Sequence, residues 1–310
     1  MRPRTIALLA GVLALLVAPL GLAHYGHYIL ATMMMYALVG LSLNILIGMG
    51  GQISIGHAGF WALGAYAGAI AMQTFGVPFI LAIFVGGIVA GAFGALVALP
   101  ALRVQGHYLA IATLAFALVV QQILFEWESV TGGRAGLFVP RPSLFGYELG
   151  SDFEYYYFLL ALFLLAAWVT RNLRTSLAGR SLMALKMSPV AAQCAGISRA
   201  RHIILAFALS AFFTGISGAL YGCLIGRLST ETFSLTASLS FLTMAVIGGL
   251  GSEVGALLGA AFLALAPEVL RELQDAQMVV YGVVLVLCMQ FLPKGLASLG
   301  ERIGWLRRPK

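Results

Sequence analysis

Residues 48–66 read GMGGQISIGHAGFWALGAY, a stretch without a single charge that is too rich in Gly, Ser, Gln and His for an ordinary membrane-spanning helix. Its glycines, Gly48, Gly50, Gly51, Gly56, Gly59 and Gly64, let the backbone leave helical geometry at little steric cost. Backbone unwound at membrane depth survives only where it is buried in protein or lines a wet cavity. The stretch therefore reads as a broken helix or a tight re-entrant turn between two apolar runs. Gly51, Gln52, Ser54 and His57 are candidates for lining such a cavity, with Asn44 one or two turns earlier and able to cap the freed groups. The same residues equally suit the close packing of two helices.

The flanking sequence decides the setting. Of 310 residues, 61% are hydrophobic and only 9% charged, with a mean hydropathy of +0.98, far from a soluble globular composition. A helix needs about 20 apolar residues to cross a hydrocarbon core of roughly 30 Å. Such runs fall at 5–23, 28–49, 58–75, 77–99, 107–125, 155–170, 202–222, 233–250, 254–267 and 278–292. The expected fold is an all-α polytopic transmembrane bundle of eight to ten spans, one domain over residues 1–310. The short runs at 233–250 and 254–267, flanking GGLGSEVG, also suit a re-entrant hairpin. Arg2 and Arg4 precede the first run as in a signal peptide, but it continues past Pro19 without a clear small-x-small cleavage site and reads as an uncleaved span.

Charge sets the orientation. Ten spans with the N-terminus in the cytoplasm place fourteen basic residues inside and only Arg134, Arg141, Arg227 and Arg271 outside, as the positive-inside rule requires. Both termini are then cytoplasmic. Residues 126–154, with five carboxylates and two arginines, become a periplasmic loop. Residues 171–201, with six basic residues and no acid, become a cytoplasmic loop long enough for one or two short helices. The basic pI is thus a topology signal, and nucleic-acid binding is not needed to explain it.

No Asp, Glu, Lys or Arg lies well inside an expected span, which argues against a proton-driven pump or a voltage sensor. Sodium coupling through backbone carbonyls stays open. None of the three lysines sits in a phosphate-cradling G-x-x-x-x-G-K-[ST] loop, and neither G-x-S-x-G nor H-E-x-x-H occurs. Gly249, Gly251 and Gly255 have the wrong last spacing for a dinucleotide fingerprint. Cys194, Cys223 and Cys288 are too scattered for a disulfide framework or a thiolate metal site. No enzyme, cofactor or metal is expected. Glycines instead recur every four residues, at Gly218, Gly222 and Gly226, at Gly251, Gly255 and Gly259, and at Gly64/Gly68 and Gly87/Gly91. Such stripes let helix backbones approach closely. Thr113 and Gln121, eight apart, share one face of the fifth run; they suit either a neutral polar path or interhelical hydrogen bonds.

Four blocks carry a family resemblance: GLSLNILIGMGGQISIGHAGFWALGAY from Gly40, TLAFALVVQQILFEWESVTGGRAGL from Thr113, GRSLMALKMSPVAAQCAGISRARHIILAFALSAFFTGISGALYG from Gly179, and MAVIGGLGSEVGALLGAA from Met244. In this order they resemble the membrane permease subunits of branched-chain amino acid ABC importers. The resemblance implies a bacterial inner-membrane subunit forming half of a translocation path. Its implied partners are a second permease, two cytoplasmic ATP-binding subunits, a periplasmic solute-binding protein, membrane lipid and an amino-acid substrate. It also implies a coupling helix within 171–201, where Ala191, Ala192 and Gly196 fit the Ala-Ala-x-x-x-Gly core by which such permeases dock their ATPases. Two departures stand out. Ser188 and Pro189 replace the acidic residues usual before Ala-Ala, and Arg134 and Ala135 follow Thr-Gly-Gly where Pro-Asp is common. Related permeases handle urea or short amides. A self-sufficient ion-coupled carrier or channel is the reading from a different class.

Overall fold

A computed structural model describes residues 11–104, 106–144 and 147–269, together with a few positions between 282 and 296. The chain is helical almost throughout. In order come α1 (Gly11–Gly21), α2 (His24–Leu43, prolonged by a π-helical end over Asn44–Met49), α3 (His57–Phe75), α4 (Phe79–Ala101) and α5 (His107–Glu126). The one-turn α6 (Glu128–Thr131) leads to three two-residue strands, β1 (Leu137–Phe138), β2 (Ser143–Leu144) and β3 (Tyr147–Glu148). Then follow α7 (Asp152–Thr175), α8 (Leu177–Met187), α9 (Pro189–Cys194), α10 (Arg199–Ile225), β4 (Arg227–Leu228), α11 (Leu235–Gly248) and α12 (Glu253–Val269).

Among the described residues, five helices are long and apolar enough to cross a membrane: His24–Met49, Phe79–Ala101, His107–Glu126, Asp152–Thr175 and Arg199–Ile225. The protein is a multi-pass membrane protein with the expected all-helical fold. The expected runs from the second to the ninth fall on α2, α3, α4, α5, α7, α10, α11 and α12. The tenth, 278–292, lies essentially outside the described residues. At 14 residues, α11 reaches only about 21 Å at 1.5 Å per residue, short of a full hydrocarbon core; α12 is described as far as Val269. They pack on each other and return α12 alongside α2, where Tyr25 Oη donates to Glu268 Oε2 at 2.6 Å.

α10 is the central post, packed against α4, α3 and α2. Lipid tails are as apolar as Leu, so close backbone contact must replace the hydrophobic effect between helices. Glycine supplies it. Gly215 of α10 meets Gly64 of α3 and the carbonyl of Gly86 in α4, Gly94 lies on the carbonyl of Phe207, and Gly218 lies on the carbonyl of Trp61. Gly248, Gly255 and Gly259 close the α11–α12 pair in the same way. The stripes seen in the sequence divide here by role. Gly222, one turn from Gly218, has only ordinary contact with Leu228, whereas Gly226 is the left-handed cap that ends α10 (φ 74°). Beyond that cap, β4 pairs antiparallel with β1, Leu137 opposite Leu228, and ties residues 126–154 to the end of α10.

The stripe yields a paired test. Gly218→Ala sets a methyl into the Trp61 carbonyl and should lower stability by about 1–3 kcal/mol, the usual range for overpacking. Gly222→Ala, in open contact on the same helix, should be neutral or stabilise by up to about 1 kcal/mol through helix propensity. Unfolding of the purified variants in detergent measures both; equal losses would remove the backbone contact from the account.

A candidate translocation element at the break between α2 and α3

The end of α2 widens to π geometry, with Gly50 N donating to Ile45 O (3.1 Å), Gln52 N to Leu46 O (3.1 Å) and Gly51 N to Ile47 O (3.2 Å). Gly51, at φ 66°, then turns the chain back. This left-handed geometry suits glycine, and a Cβ there would come within 2.7 Å of Lys186 Cγ. The chain runs without regular structure to His57, where α3 begins. That start is deep in the bundle. His57 Nε2 faces Ser210 Oγ at 3.0 Å, and Ser210 lies eleven residues into α10, about 16 Å along its axis at 1.5 Å per residue.

Every side chain of the break that could have faced a path finds a partner within the protein. Thr113 Oγ1 accepts from Ile55 N at 3.0 Å, Ser54 Oγ from Gly56 N at 3.3 Å, and Ser238 Oγ of α11 from Ala58 N at 3.2 Å. The other ring nitrogen of His57 faces Ser54 Oγ at 3.4 Å. Ser210 Oγ donates to the carbonyl of Ser42 at 2.9 Å, and Ser42 Oγ and Thr214 Oγ1 lie 2.7 Å apart. Ser54, His57, Thr113, Ser210 and Ser238 are all at most 1% exposed. Three of the orphan donors that helix and loop ends leave are thus met by hydroxyls from α5, α11 and the break itself.

Cations close the other side. Lys186 of α8 donates to the carbonyls of Gly48 (2.8 Å) and Ile47 (3.3 Å), a cation set against the C-terminal, negative end of α2. Partial burial draws its pKa below the ordinary lysine value. Beside it is a cavity of about 160 Å³ lined by Gly51, Gln52, Gly106, Lys186 and Arg199 among others. A second clamp holds the turn between α11 and α12. Asn44 donates to Ser252 O (2.7 Å) and accepts from Gly251 N (2.9 Å), while Arg174 Nη1 donates to Gly251 O (2.8 Å).

Comparison with known proteins now fits this architecture to a family. Residues 26–289 match the family described as branched-chain amino acid transport system / permease component. The chain belongs to this permease family. It is 33% identical to the high-affinity branched-chain amino acid transport system permease protein LivM of Salmonella typhimurium, over 88% of this chain and 70% of the relative. It is likewise 33% identical to LivM of Escherichia coli K12, over 86% and 68%. To LivH of Salmonella typhimurium it is 26% identical, over 86% of this chain and 92% of the relative. None of the solved structures matches the chain.

In this permease the residues singled out from the sequence do not gather in one place. Ser54, His57 and Thr113 sit together in the buried brace, and Gly51 and Gln52 line the cavity. Asn44 does not cap the groups freed by the break; its amide grips the α11–α12 turn, some two hundred residues away in sequence. Gln121 stands apart, its Nε2 donating to Thr230 O at 3.4 Å. On α9, Ala192 is buried while Ala191 is exposed; Gly196, just past the end of α9, is exposed and adopts φ 81°. Sequence reasoning missed Lys186, Arg174, Ser210 and Ser238. The first two counted only as inside charges, and the serines lay within helices whose pairing no spacing reveals.

Lys186→Glu replaces the cation at the end of α2 with an anion facing two carbonyls. It should cost about 1–2 kcal/mol, the upper range for charges at helix termini. Arg180→Glu, on an exposed position of the same helix, should stay within about 0.5 kcal/mol. Chemical denaturation of both variants in detergent separates them.

Proposed function

We propose that this permease is the membrane-spanning subunit of an ATP-driven importer for branched-chain or other hydrophobic amino acids, working in a bacterial inner membrane. Family membership and the transport function of the relatives support the substrate class. Arginine and lysine placement supports a cytoplasmic α8–α9 end and an external face carrying β1–β4. A second permease completes the path, two ATP-binding subunits dock at α8–α9, and a solute-binding protein delivers substrate from outside.

The observation that carries the docking role is the form of α8–α9. α8 buries Gly179, Leu182 and Leu185 against the bundle, yet Met187 and Val190 at its junction with α9 are 89% and 74% exposed. The departure from the family pattern has a local explanation. Ser188 Oγ accepts from Ala191 N at 3.3 Å and Pro189 occupies the first turn, a strong helix start. A methyl group added at Gly196 would meet open space, but the backbone there is left-handed, so substitution strains the turn as well as any contact. Val190 is the cleaner probe.

If α9 sits in a cleft on the ATPase, Val190→Arg overfills that contact. Overpacking of about 1–3 kcal/mol, at roughly 1.4 kcal/mol per tenfold, weakens ATPase association by about five- to a hundredfold. Were the loop resting on anionic lipid instead, an added arginine would strengthen attachment by about 1 kcal/mol. Co-purification of the variant with its ATP-binding subunits, with uptake assayed in parallel, reads the difference. Retained ATPase with normal uptake overturns the docking role.

A further inference from the structure

Among the described residues, four buried side-chain polar atoms lack a hydrogen-bond partner; besides His27 Nδ1 and Thr170 Oγ1 these are Trp61 Nε1 and Tyr66 Oη, both on α3. Trp61 and Tyr66 are each 2% exposed. Their neighbours make the omission unusual. Ser217 donates to Met35 O at 2.8 Å, Tyr155 Oη to Leu220 O at 2.7 Å, and the whole brace below is paired. Leaving a buried donor unpaired costs about 1–3 kcal/mol, and no water in the hydrocarbon region relieves it. Both groups lie in the first three turns of α3, the helix that starts inside the bundle.

The surroundings are aromatic. Trp61 has ring centroids of Tyr221 at 4.4 Å, Phe233 at 5.1 Å and Phe241 at 5.2 Å. Phe233 is also 5.8 Å from Tyr66, so one ring lies against both orphan-bearing side chains. Phe233 closes the short turn Thr230–Phe233 just before α11, whose Ser238 holds the start of α3. Of the rings facing Trp61, Tyr221 belongs to α10, Phe233 to the turn that leads into α11, and Phe241 to α11 itself, a helix too short to span the membrane.

We infer that Trp61 and Tyr66 form a transient binding site for the carboxylate of the transported amino acid, uncovered when Phe233 and the start of α11 withdraw. An indole N–H only donates and a phenol donates readily, so the pair selects an acceptor. The carboxylate is the acceptor that every amino acid carries. The surrounding rings take an aliphatic side chain, and the indole face attracts the ammonium group. This rests on the importer reading above and assigns its substrate contact to residues beyond the break itself.

Trp61→Phe and Tyr66→Phe delete the donors while keeping rings. Because neither donor has a partner among the described residues, both variants should melt at or above the wild-type temperature. Tyr155→Phe, which strands the carbonyl of Leu220, should melt lower. In liposomes carrying the complete complex with ATP and binding protein, initial leucine uptake by Trp61→Phe and Tyr66→Phe should fall at least about tenfold, with assembly of the complex intact. Wild-type uptake in both variants, or a loss of melting temperature matching Tyr155→Phe, overturns the inference. Failure of the wild-type complex to move leucine would instead overturn the importer reading, and this site with it.

Discussion

A backbone that breaks inside a membrane-spanning bundle has no water to satisfy it except at a wet cavity, so its buried amides and carbonyls must be met by the protein. Between Asn44 and Ala58 this requirement draws in elements from the whole length of the chain. Thr113 of α5, Ser238 of α11 and Ser210 of α10 meet the start of α3, and Lys186 of α8 meets the end of α2. A segment that needs so many distant partners couples them. Movement of α8 acts on the carbonyls of Ile47 and Gly48, and movement of α11 acts on the amide of Ala58. The proposed docking loop and the proposed substrate contact therefore meet at one short stretch of chain.

Such coupling depends on a rigid frame, which the glycines of α3, α4 and α10 provide. Contacts of backbone on backbone leave no side chain to rearrange between these three helices. Side-chain hydrogen bonds instead tie the break to α11, to the turn at Gly249–Ser252 and to α8. Asn44 and Arg174 both grip that turn. The clamps at Gly48 and Gly251 consequently lie side by side, since a Cβ at Gly48 would meet Gly251 N at 3.0 Å.

Much of the fold is legible in the sequence because its main rule is one of length: about 20 apolar residues span a bilayer, and α2, α4, α5, α7 and α10 obey it. The break is legible for a related reason, since a run such as Gly48, Gly50, Gly51 and Gly56 has little use inside a regular helix. What cannot be read is partnership. Gly218, Gly222 and Gly226 look alike in the sequence, yet one touches a carbonyl, one touches a leucine side chain and one ends a helix. Asn44 pairs with Gly251, to which no local signal points, so its sequence neighbours suggest the wrong partner. Lys186 reads only as a charge, because its stem crosses Gly51 in three dimensions alone. Trp61 and Tyr66 look like ordinary core aromatics, and only the lack of a hydrogen-bond partner among the described residues sets them apart.

The central claim is that α8 holds the break through Lys186. Amide hydrogen exchange over residues 47–56 in the assembled complex, wild type against Lys186→Met, tests it most directly, since exchange reports local opening. Loss of the ammonium frees the Ile47 carbonyl, which also accepts from Gly51 N. The expected result is faster exchange at Gly51 and Gln52 with unchanged protection in α4. Equal exchange across the break in the two proteins would contradict it.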